Sequence, residues 1–166
     1  IALGKAPSAS AYAALIATIQ ERTDDAVVAE ELFNESQKLG VRPNTYLYNT
    51  IISKLSRARK AEQALRLFDE MQKSNLRQSS VTYGAAINAC VRTGDESRAT
   101  QLFAEMESQP MFQPRVPPYN TMIQYYVHSV RNRDKALLYY EKMQHAGVRP
   151  SAHTYKLLPV SYTHLT

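Results

Sequence analysis

Tyrosine recurs along this chain at Tyr12, Tyr48, Tyr83, Tyr119 and Tyr155, in steps of 36, 35, 36 and 36 residues. A second series runs in parallel with it: Ala29-Glu30-Glu31-Leu32-Phe33, Ala64-Leu65-Arg66-Leu67-Phe68, Ala99-Thr100-Gln101-Leu102-Phe103 and Ala136-Leu137-Leu138-Tyr139-Tyr140. A third element, Gly40-Val41-Arg42-Pro43-Asn44, returns as Gly147-Val148-Arg149-Pro150-Ser151. A period of this length held in three registers constrains the fold more than any local propensity does. One supersecondary unit cannot bury its own apolar face, so neighbouring units must stack and share a continuous core.

Both series have helical spacing. Tyr48, Ile51, Ile52 and Leu55 fall at i, i+3, i+4 and i+7, as do Tyr12, Leu15, Ile16 and Ile19, and Tyr119, Met122, Ile123 and Tyr126. These form the first helix of each unit, and all their stripe residues are expected to be buried. Ala64, Leu67, Phe68 and Met71, and likewise Ala99, Leu102, Phe103 and Met106, form the second, with alanine where two helices approach closely. Short polar turns such as Arg59-Lys60 and Thr93-Gly94-Asp95 join the two helices and make them antiparallel neighbours. Longer breaks follow each second helix, over 40–44, 75–79, 109–118 and 147–151. No useful stretch alternates with period two, so strands are not expected. The chain reads as all-α: an α-solenoid of stacked antiparallel helical hairpins in a right-handed superhelix, with its first helices lining a concave surface. The array covers 9–158, with units at about 9–44, 45–79, 80–115 and 116–151 and a partial one at 152–158. Residues 159–166 abandon the pattern and read as a non-native tail resembling translated adapter sequence.

Composition narrows the function. The 166 residues carry a net charge of +5 and a pI near 9.3, which suits a polyanionic partner without requiring one. The single cysteine, Cys90, lies on an apolar stripe and reads as an inert core thiol; a reducing compartment fits best. No run approaches the length of a membrane span, so membrane insertion is not expected. The chain begins at Ile1, and the lack of a targeting segment says nothing about where the protein resides. His128, His145, His153 and His164 show no metal-ligand spacing, and Asp24-Asp25 and Glu30-Glu31 read as a helix start and a solvated face. With no Gly-rich phosphate loop and no catalytic constellation, neither a metal, nor a cofactor, nor enzymatic activity is expected of these residues.

The Tyr-Asn-Thr with its apolar pair, the Ala-x-x-Leu-Phe-x-x-Met of the second helix and the Gly-Val-Arg-Pro-Asn exit together resemble the pentatricopeptide-repeat unit. The nearest rival, the tetratricopeptide unit, is slightly shorter and has a Trp-containing first helix. This chain has no Trp, and every one of its steps is too long for that unit. Departures are Ser36 in place of Met in the first unit, and a long third exit containing Pro110, Pro114, Pro117 and Pro118. The resemblance implies single-stranded RNA binding at one nucleotide per unit. In that family the residue after the first-helix tyrosine and the last residue of the unit contact the base edge. Carried over, this pairs Asn49 with Ser79, Asn120 with Ser151, Ala13 with Asn44 and Gly84 with Arg115. The Asn/Ser pairs imply a pyrimidine, cytosine ahead of uracil; the other two fit no regular code and imply spacers. Tyr46, Val81 and Pro117 would pack on base faces, and Ser10 would pack poorly. Phosphate contact would fall to Arg57, Arg92 and His128. Arg42, Arg77 and Arg149, at the exits, read equally well as phosphate contacts or as solvated loop charges.

Two functional readings stay open. The first is an organellar RNA-binding factor in transcript processing, stability or translation, mitochondrial or, alternatively, plastid. The second is a protein-interaction scaffold using the same groove for a peptide. Catalysis would require a nuclease or deaminase domain outside these residues. Asn49 and Asn120 are expected to be exposed on one common concave face.

Overall fold

The computed structural model describes residues 6–19 and 25–158. The expectations for 159–166, His164 and Asp24 lie outside the described residues. Everything described is helix or connection, in the order α1 (Ala9–Thr18), α2 (Asp25–Lys38), α3 (Thr45–Arg57), α4 (Ala61–Lys73), α5 (Ser80–Thr93), α6 (Glu96–Ser108), α7 (Val116–Gln124), α8 (Arg133–His145) and α9 (Ala152–Leu157). The odd-numbered helices α1, α3, α5, α7 and α9 touch one another in succession and form one continuous layer. Each of α2, α4, α6 and α8 packs back on the helix before it, giving the stacked hairpins of an α-solenoid.

The core is built from the repeated side chains. Phe33 meets Tyr48, Phe68 meets Tyr83 and Phe103 meets Tyr119, with ring centroids 5.8, 5.4 and 5.1 Å apart. The phenylalanine of one second helix therefore closes on the tyrosine of the next hairpin, the latter two pairs edge to face, as the ring quadrupoles favour. Tyr12, Tyr48, Tyr83 and Tyr119 are buried, and Ala29, Ala64, Ala99 and Ala136 let the helices approach closely. Cys90 is also fully buried, and burial pushes its thiol up to about 11.

The first stripe departs from expectation, because Leu15 is half exposed and Ile19 only partly buried. The matching residue Ile51 lies beside Glu30, Phe33 and Asn34 of α2, whereas α1 packs chiefly against α2 and α3 and has no preceding described hairpin to cover Leu15. Tyr155 is likewise 45% exposed. Of its neighbours, α9 packs chiefly on α7.

The third exit is shorter than expected, since α7 begins at Val116 and takes Pro117 and Pro118 into its first turn. Backbone N–H groups there have no intrahelical acceptor, so proline costs no hydrogen bond. Further on, α7 widens into a π-helical turn at Tyr125–Ser129, where the Val130 N–H reaches the Tyr125 carbonyl at 3.1 Å. Ala136 stands one position further from Tyr119 than Ala64 does from Tyr48 or Ala99 from Tyr83, a spacing shared by Tyr12 and Ala29, and in this unit the extra residue lies in the π turn. A single inserted residue is absorbed as a π-bulge.

Candidate nucleic-acid interface

The last residue of each unit turns out to be a helix N-cap. Asn44, Ser79 and Ser151 cap α3, α5 and α9, their side-chain oxygens accepting from the N–H of Leu47, Thr82 and Thr154 at 2.8, 3.3 and 3.3 Å. Ser79 and Ser151 complete capping boxes, because their own N–H groups donate to Thr82 Oγ1 and Thr154 Oγ1 at 3.1 and 3.0 Å. Arg115 occupies the same place on α7 and makes no side-chain cap bond. Helix capping therefore accounts for three of these residues and gives no reason for the arginine.

The structure joins both expected Asn/Ser pairs across consecutive units. Asn49 Nδ2 donates to Ser79 Oγ, and Asn120 Nδ2 to Ser151 Oγ, each at 3.5 Å. The asparagines are less open than expected: Asn49 is half-buried and Asn120 only 9% exposed. Threonine is the cause. Thr82 Oγ1 donates to Asn49 Oδ1, and Thr154 Oγ1 donates to Asn120 Oδ1 at 2.7 Å, covering the oxygen side of each amide. Both threonines are fully buried at the third position of the following first helix.

The remaining pairs differ. Ala13 is fully buried and brings no polar group to Asn44, whose Nδ2 donates instead to Ser10 Oγ at 3.1 Å. Gly84 sits against Pro118, and a Cβ there would stand 3.3 Å from the proline Cγ, so the close packing of α5 on α7 favours glycine. Asparagine thus stands opposite threonine at two junctions, while glycine stands opposite proline and Ala13 corresponds in register to Leu47.

Tyr46, Val81 and Pro117 all occupy the second position of α3, α5 and α7, and all are exposed, Tyr46 and Val81 by 50 and 51%. Ser10 and His153 hold the same exposed register on α1 and α9. Such a row of exposed apolar side chains contributes nothing to the core. Val81 and Pro117 line an open groove of about 1070 Å³ together with Gly84, Arg57, Arg115 and Arg149. Arg92 instead lines a separate recess with Arg59, Glu62 and Gln63, so it does not share a cavity with Arg57 despite its equivalent place in the sequence. His128 lies within the π turn. The count from Tyr119 to His128 therefore no longer measures the rotation that separates Tyr48 from Arg57. Arg42, Arg77 and Arg149 are all exposed; Arg77 lines a smaller cavity with Ser79 and Arg115.

This arrangement of hairpins has counterparts. The family model for the pentacotripeptide-repeat region of PRORP matches residues 5–164. The chain belongs to the pentatricopeptide-repeat family. It is 60% identical over 162 residues to pentatricopeptide repeat-containing protein 5, mitochondrial, of Schizosaccharomyces pombe, covering 96% of this chain and 13% of that protein. The chain thus spans a small part of its relative's length. Among solved structures it resembles the pentatricopeptide repeat protein PPR10 in complex with an 18-nt psaJ RNA element, with a TM-score of 0.78 and 26% identity over 95% of this chain and 23% of that one. The PPR domain of Arabidopsis thaliana protein-only RNase P 1, in complex with tRNA, shares the fold at a TM-score of 0.72 and 17% identity, covering 93% of this chain and 80% of that one.

Sequence reasoning missed the two threonines and His153. Thr82 and Thr154 follow Asn49 and Asn120 by almost one full period. A search for polar pairs one unit apart finds them.

Proposed function

We propose that this repeat array binds single-stranded RNA along the layer of first helices and reads one base per unit. The observation that carries the reading is the Asn–Ser bridge, repeated at two junctions beside exposed apolar residues at the second helical position. A base slotted between Tyr46 and Val81 would meet Asn49 and Ser79 at its edge; one between Pro117 and His153 would meet Asn120 and Ser151. Asparagine keeps one amide hydrogen beyond its bond to serine, and serine can reorient its hydroxyl, so each pair can satisfy a pyrimidine edge. Arg57, Arg115 and Arg149 line the adjoining groove, where a phosphate backbone gains charge-assisted contacts. Arg92 and His128 hold weaker places in this scheme.

The complex of PPR10 with an RNA element supports RNA as the ligand class, and the mitochondrial relative supports a mitochondrial setting in preference to a plastid one; the role proposed there is in transcript processing, stability or translation. Catalysis has no place in the proposal for these residues. The direct test is fluorescence anisotropy with labelled pyrimidine-rich RNA, single-stranded and duplexed. Salt-sensitive binding to the single strand alone is expected. Equal binding to both forms, or none to either, overturns the reading and brings forward the protein-interaction scaffold.

A further inference from the structure

Resting on that RNA-binding reading, we infer that Thr82 and Thr154 are specificity-positioning residues: each holds the reading asparagine of the preceding unit with its amide nitrogen toward the incoming base. Asparagine is nearly symmetric in shape, so packing alone does not choose which of Oδ1 and Nδ2 faces outward. The contact lengths at these junctions choose: 2.7 Å from Thr154 Oγ1 to Asn120 Oδ1 suits a hydroxyl donating to an oxygen, and 3.5 Å from Asn120 Nδ2 to Ser151 Oγ is the longer reach of an amide N–H.

The Ser151 N–H can only donate, and it donates to Thr154 Oγ1 at 3.0 Å. That threonine oxygen lies 3.1 Å from Ser151 Oγ and 2.7 Å from Asn120 Oδ1. The single hydroxyl proton of Thr154 goes to the Asn120 oxygen, the shorter of these two contacts, and Ser151 Oγ accepts from the Thr154 N–H at 3.3 Å and from Asn120 Nδ2 at 3.5 Å. The serine proton can then close the ring onto Thr154 Oγ1. Every polar atom in the ring has a partner, and one Nδ2 hydrogen of Asn120 is left over. The Asn49, Ser79 and Thr82 junction repeats the same set of bonds.

The other junctions act as internal controls. Where the reading position is Gly84 or Ala13, the third position of the next helix is Pro118 or Leu47, and neither carries a hydroxyl. Threonine thus occurs with asparagine and not with the apolar alternatives. The capping box alone explains a threonine bonded to its own serine; it does not explain the bond to the preceding unit's amide oxygen. The consequence is chemical: with its oxygen turned onto the buried threonine, the asparagine presents its free amide hydrogen, and the base that answers it offers an acceptor at that edge.

The test compares Thr154→Val, which keeps the shape and loses the hydroxyl, with Thr154→Ser, which keeps the hydroxyl. Two readouts are taken on the full chain: NMR order of the Asn120 side-chain amide without RNA, and binding to single-stranded pyrimidine-rich RNAs changed at one position at a time. In Thr154→Val the Asn120 amide should become disordered, and discrimination at one nucleotide should fall roughly three- to tenfold, the worth of one hydrogen bond. Thr154→Ser should restore both. Equal weakening on all RNAs would mean that the threonine serves only the fold and would overturn the inference. An Asn120 amide as ordered in Thr154→Val as in the parent overturns it too, whatever RNA does. If the parent chain discriminates at no position, the one-base reading fails on its own, and the amide measurement still decides whether threonine orients the asparagine.

Discussion

Tyr48 Oη donates a 2.6 Å hydrogen bond to Glu70 Oε1, whereas Tyr119, two units further on at the same register, buries a hydroxyl that has no partner among the described residues. Burial, followed by the neighbouring carboxylate, pushes both phenols up to about 12, so both stay protonated at neutral pH. One is a satisfied donor and the other is an orphan. Tyr48→Phe should therefore lower unfolding free energy by about 1 kcal/mol, while Tyr119→Phe should be neutral or stabilising by up to about 1 kcal/mol. Urea midpoints for the two variants check this, with unchanged m-values as the control.

Ser151→Asp tests the transferred code. Aspartate caps helices as well as serine does, so stability should move by less than about 0.5 kcal/mol. Base preference at the nucleotide read by the fourth unit should shift from cytosine toward uracil, the outcome the family resemblance implies. Selection from an RNA pool randomised at single positions measures it.

The groove geometry separates the arginines. Single-strand binding that neutralises Z phosphates weakens with a log-log salt slope of about −0.7Z. Arg57→Ala and Arg115→Ala should each flatten that slope by about 0.7 without changing base preference, because both line the main groove. Arg92→Ala should leave the slope unchanged, since Arg92 lines a different recess. Salt titrations of the three variants distinguish these outcomes.

Glu96 accepts from Lys135 and, at 3.0 Å, from Tyr126, and these bonds hold its carboxyl below the ordinary value of 4.5. A carboxylate with a depressed folded pKa stabilises the fold above the unfolded pKa, and the contribution vanishes as pH falls through the folded one. Thermal melts of the parent and of Glu96→Gln should therefore differ at neutral pH and converge in acid. The gap should also narrow with added salt, since both partners are partly exposed.

Cys90 should be chemically silent in the folded chain. Its sulfur is buried, and burial raises the thiol to about 11, leaving almost no thiolate at neutral pH. Labelling with a thiol-reactive dye should be slow in buffer and fast in urea. Rapid labelling of the native form would mean that α5 opens locally.

Much of this protein is legible before folding. The period dictates stacked units, the i, i+3, i+4, i+7 spacing of Tyr48, Ile51, Ile52 and Leu55 dictates which face is buried, and the alanines mark close helix approach, because each depends on residues near in sequence. Asn49 and Asn120 can be singled out by register in the same way. What register does not carry is the surroundings of a side chain. Leu15 follows the stripe and is still half exposed, since burial requires a neighbouring hairpin as well as the right spacing. Arg57 and Arg92 share a register and line different cavities, while an extra residue wound into the π turn puts His128 out of phase. The threonine that closes on each asparagine comes from the next unit, almost a full period along the chain, and only stacking brings its hydroxyl within 2.7 Å of the Asn120 amide oxygen. Local periodicity decides which residues face the junction, and the packing of one hairpin on the next decides which atoms there are left to meet a ligand.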